Sequence, residues 1–418
     1  MRWKVSLKFR VDSGKYEVFQ GGVGVLWVFV LAEVEVTKSY SYIVYTQLTG
    51  CYMEEKKAKT KNQHYVPQFY QRFFSSDGKV TGAYVLEHKK IVAAAPIKNQ
   101  ASGDYFYSPN MKIEEALTSL EGLASTAINK LIVNPKEKLA DEDAMALYVF
   151  AMIQFGRTKA FADKMANHAD VSGTTMLKQY VQAMRKTAKA SEVKDITDEI
   201  LEGVSIKLDE PGLHSLGIIS QMMDVLADLQ PFAKILINKT KKPFVTSDNP
   251  ACLYDQHFER IGGLDYAMGS CGIQLYLPLT PNMAILYYDS ECYKVGEKKK
   301  RYVEISQESD VMELNKLVAC YADKVLLFKQ GCGNANLDDL GRAHDRFRVT
   351  NDMEPFKVSG TDNRVIFGFH HISMYCKLKL SFVKELTNYK ARNIKSYPQI
   401  RDRIRLAVQI LDGYAKKR

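Results

Sequence analysis

The chain has 418 residues, of which 46% are hydrophobic and 25% charged, with a formal charge of +10. Those proportions belong to an ordinary globular protein with enough apolar residues for a large core in one domain or two, and they exclude a disordered or collagen-like chain. The apolar run Val23–Ala32 is too short to cross a bilayer as a helix, so no transmembrane segment is expected.

The charge is unevenly placed. Residues 346–418 hold 16 basic and 6 acidic side chains, a surplus of +10, which leaves the first 345 residues close to neutral. A basic C-terminal extension on a neutral body predicts a polyanion partner, nucleic acid or an anionic surface; a solvated segment that only aids solubility accounts for it equally. Seven cysteines stand at 51, 252, 271, 292, 320, 332 and 376 with no C-x-x-C pair. That spacing favours neither a zinc ribbon nor a disulfide framework, and predicts reduced, mostly buried thiols and a cytoplasmic location.

In chain order, residues 1–52 differ from the rest. Arg2, Lys4, Lys8 and Arg10 precede the apolar run in the manner of a signal peptide, but no small-x-small site follows Ala32. Alternation at Trp3–Val11 and Val34–Val44 reads as strands. A start at Met53 is the third reading and the preferred one: 1–52 is then an atypical extension or a mis-annotated start, 53–345 a single domain and 346–418 a basic extension.

Lys61–Phe74 (KNQHYVPQFYQRFF) predicts a helix that opens at Val66 or Pro67 and stops at Ser75–Gly78, with His64 just before it. His64, Gln68 and Arg72 recur every four residues beside an aromatic stripe of Tyr65, Phe69, Phe73 and Phe74. The aromatics read as core, and the polar stripe either ties loops to backbone or lines a site. Lys79–Leu86 and Ile91–Ala95 predict a β-hairpin, 113–133 an amphipathic helix ended by Asn134-Pro135, and Asp141–Phe161 a second helix. Charged helix is expected over Lys159–Lys194 and another over about 213–229. Strands follow at Ile235–Ile237, Phe244–Thr246, Gly272–Leu277 and Met283–Tyr288, then helices at Val311–Tyr321 and Ile400–Leu411. The fold class expected is α+β, with a helical middle and a mainly antiparallel sheet.

Two further stretches carry polar residues of interest. Thr246-Ser247-Asp248-Asn249-Pro250 reads as an Asx-rich turn at a strand end. Alternatively Asp248 serves as a base, an orienter of His64 or a metal ligand, with Asn249 binding substrate. Arg157, on an otherwise apolar face, needs a carboxylate, and Glu121 is its natural partner; the other reading has it hold a phosphate or carboxylate of a substrate. No Walker loop, H-E-x-x-H, G-x-S-x-G or dinucleotide fingerprint occurs, so the common ATPases, zinc proteases, α/β-hydrolases and Rossmann dehydrogenases are not indicated.

The segment K-x-Q-H-Y-V-P-Q-F-Y followed by R-F-F resembles the opening signature of a bacterial family known as domain of unknown function 4238. Tyr105-Phe106-Tyr107, Leu120-Glu121, Gln154-Phe155-Gly156-Arg157-Thr158, Phe244–Pro250 and Pro278-Leu279-Thr280-Pro281 are similar to its later motifs in the same order, over about 61–330. The resemblance implies where a site lies and no particular activity. Two functions stand open. One is an enzyme, a hydrolase of a phosphate-containing or nucleic-acid substrate: His64 and Asp248 would be catalytic, Gln68, Arg72, Arg157 and Asn249 would bind substrate, and any metal is unspecified. The other is a non-catalytic nucleic-acid-binding or regulatory module of a defence or stress system, working through 346–418.

Overall fold

The computed structural model describes residues 61–107, 111–186, 196–208, 210–223, 227–256, 269–331, 336–348, 353–361, 364–371 and 376–386, together with Lys4 and Val5. The predicted strand at Val34–Val44 and helix at Ile400–Leu411 lie outside them. Among the described residues, eight helices and several mainly antiparallel sheets make an α+β fold. The helices are α1 (Gln68–Arg72), α2 (Met111–Val133), α3 (Asp141–Gly156), α4 (Lys159–Met184), α5 (Asp198–Glu202), α6 (Pro211–Met222), α7 (Glu308–Tyr321) and α8 (Leu337–Phe347).

A five-stranded sheet divides the interior. Its order is Tyr302–Ile305, Lys234–Asn238, Met283–Tyr288, Gln274–Thr280, Cys252–Tyr254, antiparallel throughout except that the first strand runs parallel to the second. Successive residues of a strand point to opposite faces, and both faces are buried. Ile235, Ile237, Leu253, Leu275, Leu277, Leu279, Met283, Ile285 and Tyr287 enter one core, where Ile128, Leu131, Phe150 and Leu216 of α2, α3 and α6 cover them. Leu236, Cys252, Tyr254, Tyr276, Ala284, Leu286 and Tyr288 enter a second core with Val311, Leu314 and Val318 of α7. Two-sided burial explains why these strands read as continuous apolar runs and not as alternating ones.

The second core is closed by a four-stranded antiparallel sheet ordered Lys90–Pro96, Val80–Val85, Val325–Phe328, Thr246–Ser247. Thr246–Ser247 is the edge of this sheet and Cys252–Tyr254 the edge of the other, so Asp248–Ala251 is the link between them.

Residues 376–386 also belong to the second core, through Cys376, Leu378, Leu380 and Val383. The Asp310 carboxylate accepts the Ser381 N–H at 2.8 Å and its hydroxyl at 2.6 Å. Leu378 N–H donates to Tyr254 Oη at 2.9 Å, and Val383–Glu385 pairs with Tyr293–Val295. This part of the basic extension is therefore core and not a detachable tail.

Candidate functional site

His64 departs from the helical stripe. Asn62–His64 is a strand paired with Ser102–Asp104, and α1 begins only at Gln68, behind Pro67. Of the three polar residues read at four-residue spacing, only Gln68 and Arg72 share a helix face; Arg72 Nη2 donates to Gln68 Oε1 at 3.1 Å near the surface. The α1 residues that are buried are Tyr70 and Gln71.

Three consecutive carbonyls, from the last strand residue onward, are each held by a buried side chain. Arg157 Nη2 donates to His64 O at 2.8 Å, Gln154 Nε2 to Tyr65 O at 3.0 Å, and Gln71 Nε2 to Val66 O at 2.8 Å. Arg157 is only 2% exposed. Its Nε donates to Tyr107 Oη at 2.9 Å and its Nη1 to Glu121 Oε1 at 2.9 Å. The Tyr107 hydroxyl in turn donates to Arg157 O at 3.1 Å. Burial pushes the Tyr107 phenol up to about 12, although the adjacent guanidinium pulls the other way. The expected Arg157–Glu121 ion pair is present, and each of the three guanidinium nitrogens has a partner inside the protein. Such complete pairing is what makes a buried charge tolerable. The helix expected to run through Arg157 ends at Gly156 instead, with Arg157 as its C-cap residue.

The 246–250 turn is knitted in the same way. Asp248 Oδ1 accepts Asp323 N–H at 2.9 Å and Oδ2 accepts Lys324 N–H at 2.8 Å, while Asp248 N–H donates to Val325 O at 3.2 Å. Asn249 accepts the Thr158 hydroxyl at 3.0 Å and donates to Tyr321 O, the last carbonyl of α7, at 2.9 Å. Tyr70 Oη lies 2.8 Å from Thr246 Oγ1 and donates to Pro278 O at 2.5 Å, where the Gln274–Thr280 strand shifts register. The segments singled out in the sequence thus touch one another in a single network: 61–74 meets 154–158, 246–250 and 278–281.

Asp248 and His64 sit in different surroundings. The Asp248 carboxyl is pushed up to about 7, first by burial and then by the charge of Asp323, against the pull of its backbone N–H donors. Burial holds His64 below its ordinary value, beside Ile97, Lys98, Glu121 and Arg157. Its Nε2 is buried and has no hydrogen-bond partner among the described residues. Tyr65, one residue on, is 8% exposed, and its phenol is pushed up by burial and by Asp248, Asp323, Tyr107 and Asp163. Tyr65, just past the strand end, is thus a residue whose phenol feels the charge of Asp248. Sequence reading missed Tyr65, Gln71, Tyr107 and Asp323 in these roles. The adjacency of Asp323 to Asp248 comes from pairing the Thr246–Ser247 strand with Val325–Phe328, a strand the local pattern did not reveal. Among the described residues no group of three or more His, Cys, Asp or Glu is placed to hold a metal ion.

The geometry defines an α+β domain in which polar side chains from separate segments lock an N-terminal strand, a helical layer and two sheets together. A family model described as "Protein of unknown function (DUF4238)" matches residues 62–331, and the chain belongs to that family. No curated protein and no solved structure matches it.

Proposed function

We propose that this chain is a nucleic-acid-binding, regulatory module whose binding charge lies in the C-terminal basic extension. The observation that carries the reading is the segregation of charge: a surplus of ten positive charges in 346–418 on an otherwise neutral chain. Arg157, Asp248, Asn249 and Gln71 spend their polar groups on the protein's own backbone and neighbours, as a frame requires. Phosphate neutralisation by such a segment gives binding that weakens steeply with salt.

The test compares the full chain with one ending at residue 386, which keeps the core contacts of Asp310 and Tyr254. Residues 387–418 hold nine basic and two acidic side chains, so the shortened chain loses seven of the ten surplus charges. Affinity for a labelled DNA or RNA duplex is expected to drop at least tenfold at low salt, with a shallower salt dependence. A full chain that shows no salt-dependent binding overturns the proposal.

One observation favours a second reading, the hydrolytic enzyme. Asp248 is poised near neutrality, where a general acid or base works best. With Arg157 internally paired, His64 and Asp248 are left to carry that reading. Phosphodiester cleavage by the full chain that survives His64→Ala and Asp248→Ala together would remove it.

A further inference from the structure

The open end of the hairpin made by Gln274–Thr280 and Met283–Tyr288 brings two cysteines to one carboxylate. The ladder continues past its last pair, because Asp289 N–H donates to Ile273 O at 3.3 Å. Gly272 then bends the chain at φ +86°, a conformation glycine adopts without strain. Asp289 Oδ2 accepts the Gly272 N–H at 3.0 Å and the Cys292 thiol at 3.2 Å, while its Oδ1 accepts the Glu291 N–H at 3.0 Å. The Cys292 sulfur and the backbone next to Cys271 therefore touch the same oxygen atom. Facing ends of antiparallel strands hold their Cα atoms about 4.5–5.5 Å apart, inside the range of about 4.4–6.8 Å that a disulfide spans. Neither cysteine is in a disulfide, and they differ in access: Cys271 is partly exposed, whereas Cys292 is buried at 3% exposure. Burial, and then the charge of Asp289, hold the Cys292 thiol protonated well above its ordinary range.

We propose that Cys271 and Cys292 form a peroxide-responsive dithiol, with Cys271 meeting the oxidant and Cys292 resolving it. Hydrogen peroxide gives one oxygen to the Cys271 sulfur: the S–O bond forms, the O–O bond breaks, one water leaves and a sulfenic acid remains. The Cys292 sulfur then attacks the Cys271 sulfur, so that the S–S bond forms and the S–O bond breaks. The Cys292 proton passes to Asp289 Oδ2, its hydrogen-bond acceptor, and on to the departing hydroxide, which leaves as the second water. Two thiols are thereby oxidised by two electrons and one peroxide is reduced to two waters. The bond forms beside the root of the C-terminal extension, since Cys292 O accepts Leu386 N–H at 2.9 Å and Tyr293–Val295 pairs with Val383–Glu385. The site does not depend on the nucleic-acid reading.

The test treats the full chain with hydrogen peroxide, alkylates the remaining thiols and maps the peptides by mass spectrometry without reductant. The expected product is a peptide pair joined through Cys271 and Cys292, which a dithiol reductant separates. Cys292→Ser should leave Cys271 as a sulfenic acid that dimedone traps. Asp289→Asn should slow closure at least about tenfold while Cys271 is oxidised at the parent's rate, a split that loosened packing does not give. Cys271→Ser, on a partly exposed residue, should abolish the joined pair and serves if Asp289→Asn fails to fold. Oxidation that leaves both thiols open to alkylation, or that joins the buried Cys320 and Cys376 and leaves this pair reduced, overturns the proposal. Equally fast closure in folded Asp289→Asn also overturns it.

Discussion

At the scale of single residues, Arg157 is the most exacting position. Replacing it by Ala strands Glu121 and the His64 carbonyl and removes the donor to the Tyr107 hydroxyl, and breaking a buried pair of this kind costs about 3–5 kcal/mol. Arg157→Lys should recover little of this, because an ammonium does not reproduce three divergent planar donors. Denaturant unfolding would show both; a midpoint close to the parent's would contradict the structural role. Asp248 sets a pH dependence of definite sign. Between about pH 4 and pH 7 the folded chain keeps a proton that the unfolded chain has released, so this group makes stability fall as pH rises through that window. The slope is about 1.4 kcal/mol per pH unit where the two states differ by a whole proton. Asp248→Asn should flatten that fall in thermal melts taken across the window. His64 acts oppositely: its folded value lies below 6.5, so its contribution is lost as pH drops below that value. His64→Gln should remove the acid-side loss and leave the alkaline side alone.

At the scale of elements, two backbone features explain residues that composition alone could not. Gly156 ends α3 where α6 crosses it, and a Cβ there would stand 2.6 Å from the Ile219 side chain. Gly156→Ala should therefore destabilise by about 1–3 kcal/mol even though alanine is the better helix former. Ala101 adopts φ +50° while its carbonyl accepts the N–H groups of Tyr65 and Val66. A left-handed alanine is strained by about 1–2 kcal/mol, so Ala101→Gly is expected to raise the melting temperature by a few degrees. A lowered melting temperature would show that unfolded-state entropy outweighs the relieved strain. The same scale shows what was legible. The hairpin at 80–96, α2 with its Asn134-Pro135 stop and the strand 283–288 follow from period and punctuation, and the Glu121 partner of Arg157 follows from the cost of a buried charge. The strands Tyr302–Ile305 and Val325–Phe328 did not stand out, since each is four residues long and gains its stability from long-range pairing; helix α8 has ordinary length and an amphipathic pattern, and was legible but not read. The grouping of His64 with Gln68 and Arg72 failed because a four-residue spacing was extended past Pro67 into a segment that is strand.

At the scale of the whole molecule, the basic extension has two parts of different standing. A chain cut at 345 loses Cys376, Leu378, Leu380 and Val383 from the second core and leaves the Asp310 carboxylate and Tyr254 hydroxyl without their 376–386 partners. It should be insoluble or lack a cooperative melt, whereas a chain cut at 386 should melt like the parent; equal melts for both would show that the 376–386 contacts contribute little. Among the described residues no helix is long and apolar enough to cross a membrane. The Tyr70 hydroxyl waits for Thr246 and Pro278, Asp248 waits for residues 323 and 324, and Asp310 waits for Ser381. On the ribosome, then, the Asn62–His64 strand and α1 find the 102–104 strand and helices α2 and α3 early but wait for 246–278, and the second core stays open until 376–386 is made. Contacts separated by so much chain form late in synthesis, and until they do the apolar faces of the sheet they cover are exposed to association.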